Sequence, residues 1–213
     1  MLFAALAVLC NHGEKTIALA DPVTAIVENA SGRELYPRVV YADSSSGTPS
    51  VDYPPVPPKN NGRILIESNT PWSLFFATGC ISDGSGHHMN CSTGDCGEGR
   101  CTLADQPVAT MIVYDSGTVK TTTENGYNCG LDGVFVCGIC DCPSFSCIIA
   151  LNRCPDNLRV YDNSGSLVAC KPGEGLPSGQ DCQALGSYSD PPSAGATCLI
   201  KNAIVKITVS SPQ

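Results

Sequence analysis

The chain has 213 residues, enough for one domain, and its 42% hydrophobic against 15% charged residues is too apolar a balance for a disordered chain. Twelve basic against twenty acidic residues give a net charge of −8, which a phosphate backbone or an anionic membrane surface would repel. Aromatic residues at 6% leave little material for stacking bases, so nucleic acid is excluded as a partner, and no apolar run approaches the ~18 residues of a membrane span.

In chain order, residues 2–10 (LFAALAVLC) form a short apolar run, and Ala18-Leu19-Ala20 is a small-residue cleavage pattern. Residues 1–20 are therefore expected to be a secretory signal peptide, with a buried N-terminal strand as the alternative. No positive residue follows Met1, and Asn11 to Lys15 is unusually polar for a leader. Thr24 to Tyr41 reads as two strands split by the turn Asn29-Ala30-Ser31-Gly32. Residues 42–62, with Pro54, Pro55, Pro57 and Pro58, read as an extended loop. Strands are expected at Arg63 to Glu67, Trp72 to Phe76, Ala109 to Tyr114 and Val119 to Thr123. Another is expected at Ala203 to Val209, where Lys206 and Thr208 alternate outward. No amphipathic helix is apparent, so the fold class is all-β, a sandwich. Its sheets are expected from residues 21–128 and 199–213, with a cysteine-rich lobe from 129–198, where the strand signal fades.

Fourteen cysteines are present, thirteen of them between Cys80 and Cys198. That density persists in an oxidising compartment, so a disulfide framework and a secreted protein are expected. A metal site at Cys137-x-x-Cys140-x-Cys142 with His87-His88 is the lesser reading, because secreted thiols oxidise before they are left to chelate. No metal and no cofactor are expected.

The stretch Thr78-Gly79-Cys80 followed by Cys91-Ser92-Thr93-Gly94-Asp95-Cys96 resembles the signature of the thaumatin-like (osmotin, pathogenesis-related) family. Cys154-Pro155, Val168-Ala169-Cys170-Lys171 and the Ser187-Tyr188 region between Cys182 and Cys198 resemble later family segments. Ile26 to Ser31 and Val205 to Pro212 resemble its opening and closing strands. The resemblance implies a thaumatin-like β-sandwich with a disulfide lobe whose third loop is reduced. It also implies the bridges Cys80–Cys91, Cys96–Cys101, Cys154–Cys170, Cys147–Cys182 and Cys142–Cys198. Cys129, Cys137 and Cys140 remain, so one is free or joined to another chain; a monomer is expected, with a disulfide-linked dimer as the alternative. The family joins its first and last cysteines, and those positions read Ala30 and about Ser210 here.

Some family members are described as β-1,3-glucanases that use an acidic cleft. Glycoside hydrolysis needs one protonated and one ionised carboxyl flanking the bond. By correspondence the cleft glutamate is Val113, two aspartates are Asn125 and about Lys120, a third is Ala184, and the arginine is about Ser73. With none of these charges retained, hydrolysis by the family mechanism is not expected, and a weak β-1,3-glucanase is the last alternative. A register slip would restore a single carboxylate such as Asp115 or Glu124. Asp95, inside a disulfide loop, is expected to serve backbone N–H groups. No Ser-His-Asp or Cys-His arrangement is visible. The reading is a defence- or cell-wall-associated binder of a neutral glycan such as β-1,3-glucan, with Tyr114, Tyr127 and Tyr188 as the stacking candidates. The alternative is a structural or signalling ectodomain that binds a protein. Two sequons occur, at Asn29 and Asn90, and the second is expected to be the weaker acceptor because Cys91 is tied into a bridge.

Overall fold

The computed structural model describes residues 17–19, 22–42, 50–67, 70–82, 88–97, 101–102, 105, 107–115, 118–136, 144–147, 150–173, 198–200 and 204–212. The first strands are β1 (Ile17–Leu19), β2 (Val23–Ala30), β3 (Leu35–Tyr41), β4 (Ser50–Asp52), β5 (Asn61–Ile66) and β6 (Trp72–Thr78). Then come β7 (Ile81–Ser82), β8 (His88–Met89), β9 (Met111–Asp115), β10 (Thr118–Thr122), β11 (Gly130–Val136) and β12 (Ser144–Cys147). The last are β13 (Arg159–Tyr161), β14 (Leu167–Cys170), β15 (Cys198–Ile200) and β16 (Ile204–Ser210). Among the described residues there is no α-helix, only the 3-10 turns Leu151–Arg153 and Asp156–Leu158.

Two five-stranded sheets make the sandwich, in the orders β10-β9-β6-β3-β4 and β12-β11-β16-β2-β5. The second sheet alternates as a half-solvated sheet should: Val23, Ala25 and Val27 of β2 and Val205, Ile207 and Val209 of β16 point inward, while Lys206 is exposed. In the first sheet every residue of β3 and β6 is buried. One face carries Val39, Trp72, Leu74, Phe76 and Ile112 into the core between the sheets. The other carries Val40, Phe75 and Met111 into a separate cluster closed by Cys101 and Ala109. A strand covered on both faces has no solvated side, and this is why both read as largely apolar runs.

The boundary between sandwich and lobe differs from the sequence expectation. Gly130–Val136 and Ser144–Cys147, read as the beginning of the lobe, are strands of the second sheet. Their signal is weak because β11 carries Gly130 before the buried Leu131, and Asp132 and Gly133 between Leu131 and the buried Phe135. Gly133 lies opposite Phe145, and a Cβ there would stand 2.1 Å from the phenyl ring, so the glycine makes room for an aromatic that fills the gap from the neighbouring strand.

The first and last sandwich strands, β2 and β16, run parallel in register from Ile204↔Thr24 to Ser210↔Ala30. The two positions at which the resemblance implies a disulfide are therefore direct cross-strand partners. Ile17–Leu19, inside the expected leader, pairs in parallel with Cys198–Ile200, so that segment has a partner in the fold.

Candidate functional site

A pocket of about 160 Å³ opens on the outer face of the first sheet. The strand registers explain its floor. Val40, Ser73 and Val113 form one cross-strand row, and Phe75, Met111 and Thr122 form the next. The turn after β10 adds Glu124 and Asn125, and the segment after Cys101 adds Thr102, Asp105 and Pro107. The result is an apolar floor of Val40, Phe75, Met111 and Val113 beneath a rim of hydroxyl, amide and carboxylate groups.

The rim on one side is held by local hydrogen bonds and a disulfide. Asp105 Oδ2 accepts from the Thr102 amide at 2.6 Å and from its hydroxyl at 2.9 Å. Cys101, one residue before Thr102, is bonded to Cys96 and packs on the floor residues Val40, Phe75 and Met111. Beneath that loop lies Arg38, 2% exposed. Its Nε is 2.8 Å from Asp52, and its Nη1 donates to Cys101 Sγ at 3.2 Å. Sequence reasoning missed this ion pair; the only signal was one arginine within the apolar run Leu35 to Tyr41.

The segment 92–95, between the two bridges, is fixed to the sheet by Asn128, 3% exposed. Its Nδ2 donates to the Phe76 carbonyl at 2.7 Å and to Thr93 Oγ1 at 2.8 Å, and its Oδ1 accepts from the Thr110 amide at 3.1 Å. The Thr93 and Thr78 hydroxyls lie 2.8 Å apart. Gly94 has φ +70° and lies so close to β6 that a Cβ would stand 2.8 Å from Ala77 Cα. The Cys-Ser-Thr-Gly-Asp-Cys signature is thus a fold-fixing element, whose threonine and glycine clamp the loop against the sheet. Asp95 Oδ1 is buried with no hydrogen-bond partner among the described residues, so the backbone donors expected for it are not seen on that oxygen.

The structure separates the residues proposed from the sequence. Ser73, Val113 and Asn125, identified as cleft positions, meet in the one pocket; Lys120 is paired with Val113 one strand further out and is exposed. Tyr114 is not a pocket residue. Alternation along β9 sends Met111 and Val113 outward to the pocket and turns Ile112 and Tyr114 into the core. Its ring stacks on Trp72 at 5.6 Å between centroids and the residue is buried, so it is enclosed in the core rather than offered to a sugar. Tyr127, 5% exposed, is likewise a core residue, and its backbone bridges Cys170. Tyr188 and Ala184 lie outside the described residues. Asp105, which no sequence feature marked, lines the pocket together with Glu124.

Cys80–Cys91, Cys96–Cys101 and Cys154–Cys170 are disulfide-bonded, and Cys147 is disulfide-bonded as well. Cys142 and Cys182 lie outside the described residues, as do Cys137, Cys140 and His87, and nothing is described of the Cys198 side chain. Among the described residues Cys129 is free and buried. Burial pushes its thiol up to about 12 against a small opposing effect of the Thr110 hydrogen bond. A protonated, enclosed thiol is no intermolecular linker, which removes Cys129 from the three cysteines proposed for a covalent dimer.

Fold and pocket together describe a disulfide-braced all-β sandwich with a small cleft on one outer face. The chain is 39% identical over 109 residues to pathogenesis-related protein 5 of Arabidopsis thaliana, covering 47% of this chain and 45% of that protein. It is 29% identical over 123 residues to thaumatin-like protein 1 of Prunus persica (50% and 48% covered). It is 33% identical over 113 residues to thaumatin-like protein 1 of Pyrus pyrifolia (47% and 46% covered). The chain spans about half the length of these curated relatives. No family model matches it. Over about half its length the chain is thus similar to thaumatin-like proteins.

Proposed function

We propose that this is a secreted, defence- or cell-wall-associated protein that binds a neutral glycan such as β-1,3-glucan in the outer-face pocket without hydrolysing it. The observation that carries this reading is the composition of the pocket: an apolar floor of Val40, Phe75, Met111 and Val113 inside a polar rim. Sugar rings present C–H faces to apolar surface and hydroxyl groups to polar side chains, and concave sites with a few placed polar groups are the usual form of small-ligand recognition. The thaumatin-like and pathogenesis-related names of the relatives support the defence role. The bridges support an oxidising compartment. With Val113 where the family has its glutamate, the floor holds no acid.

A specific observation favours a second reading, weak glucanase activity: Asp105 and Glu124 line the same pocket. Against it, Asp105 is already engaged by Thr102, which fixes it as a loop anchor. Co-sedimentation of the oxidised protein with insoluble β-1,3-glucan, with cellulose and chitin as controls, separates the outcomes. Saturable binding to the glucan without release of reducing ends is expected. Reducing ends that vanish in Glu124→Gln would establish the enzyme instead, and no binding to any polymer would move the search to protein partners.

A further inference from the structure

We infer that Asn90 is an acceptor for N-linked glycan and that the second Asn-x-Ser of the chain, at Asn29, is kept unmodified in the folded protein. This rests on the reading of the protein as secreted. It reverses the order expected from the sequence, and the reversal comes from what each asparagine does in the fold.

Asn29 is fully buried. Its Nδ2 donates to the Arg33 carbonyl at 2.6 Å and the Val56 carbonyl at 2.7 Å, which uses both amide hydrogens. Its Oδ1 accepts from the Ser31 amide at 2.9 Å and the Ser31 hydroxyl at 2.7 Å. The Asn-Ala-Ser triplet is therefore a turn-locking unit whose asparagine and serine bind each other and the backbone. Attaching a sugar to Nδ2 removes one of the two donated hydrogens and places a bulky polar group where there is no exit to solvent. A chain modified there does not close this corner.

Asn90 has the opposite setting. It is exposed, it follows the short strand β8, and it has φ +52°, the left-handed conformation that asparagine tolerates at a turn. Cys91 beside it is bonded to Cys80, so the bridge holds the turn at the surface. Ile81, opposite Met89 in the same hairpin, is 62% exposed, an apolar side chain on a surface that a hydrated glycan would keep soluble. The donor is an oligosaccharide carried on a lipid pyrophosphate by the secretory pathway's transferase. The Asn90 amide nitrogen bonds to the anomeric carbon as that carbon's bond to the phosphate oxygen breaks; the lipid pyrophosphate leaves and the amide gives up one proton. Transfer takes place on the extended chain, before Cys91 meets Cys80, and the outward-facing turn lets the bridge close afterwards.

The test is to express the full chain in a eukaryotic host behind a heterologous secretion leader, so that entry does not depend on its own N-terminus, and to map the folded, secreted fraction with and without peptide N-glycosidase. Enzymatic conversion of Asn90 to Asp, with Asn29 unchanged, is expected. Asn90→Gln and Ser92→Ala should each abolish the mobility shift, and Ser31→Ala should leave it intact. An unmodified Asn90 in that fraction, or a glycan on Asn29, would overturn the proposal. A modified Asn90 in this arrangement, combined with a native protein that fractionates with the cytosol of its source cells, would sustain the acceptor site and sink the secreted reading alone.

Discussion

Asn128 makes three buried hydrogen bonds that join the segment between Cys91 and Cys96, β6 and the segment before β9. Its replacement by alanine leaves the Thr110 amide and the Phe76 carbonyl without this partner inside the protein, where each unsatisfied group costs about 1–3 kcal/mol. Asn128→Ala is therefore expected to lower stability by about 2–4 kcal/mol, measured as a shift in the urea midpoint at unchanged slope. Arg38 is a stricter case, since its removal takes the guanidinium away from the largely buried Asp52 carboxylate; Arg38→Met is expected to cost about 3–5 kcal/mol. Cys129 contributes a pH dependence. Its folded-state thiol titrates near 12 against an ordinary value of 9.0, so between these values the unfolded chain has lost a proton that the folded chain keeps. Stability from this group is fully present below about pH 9 and falls as pH rises, by ~1.4 kcal/mol per unit. Burial also raises Tyr36 to about 12 and Tyr53 further still, which adds to the alkaline loss. Urea midpoints from pH 7 to 11 should fall above pH 9, and less steeply in Cys129→Ala; equal slopes in both proteins would contradict the assignment to Cys129.

At the scale of elements, the strands with one wet face were legible and those with none were legible only as strands. The alternation around Lys206 identified both the strand β16 and its inward face. In β9 the pattern Met111-Ile112-Val113-Tyr114 is apolar on both sides, because one side meets the sandwich core and the other the pocket floor. No periodicity tells these apart, so nothing in the pattern corrected the choice of Tyr114, which rested on its correspondence to the family cleft. β11 was hidden by its glycines, whose purpose appears only when Phe145 is placed across from Gly133. Asp105 was invisible for a similar reason: its place in the pocket depends on how the segment after Cys101 folds back over the sheet. The cysteine motifs gave more, because their spacing resembles a family whose cleft positions could be carried over one by one. The pairing of Ala30 with Ser210 yields a test at this scale. The double variant Ala30→Cys, Ser210→Cys should oxidise to a bridge and stabilise the protein by about 2–4 kcal/mol. A pair that stays reduced after air oxidation would contradict the parallel register.

Across the whole molecule, one sheet faces solvent and the other is covered twice, once by its partner sheet and once by the disulfide loop. The second cover creates the pocket. Cys96–Cys101 closes it, Arg38 and Asp52 neutralise each other beneath it, and Asn128 holds the loop down. The molecule therefore builds a cleft whose floor carries Val113 where the resemblance implies an acid, and this supports the proposal of binding without hydrolysis. The most direct measurement is an NMR titration of the folded protein with a soluble β-1,3-gluco-oligosaccharide, following saturation transfer to the sugar and its anomeric signals in the same tube. Transfer to the sugar, blocked by a bulky Ser73→Phe substitution, with no new reducing-end anomeric signal over days, is the predicted result. New reducing-end signals, or no transfer at millimolar sugar, would contradict the account.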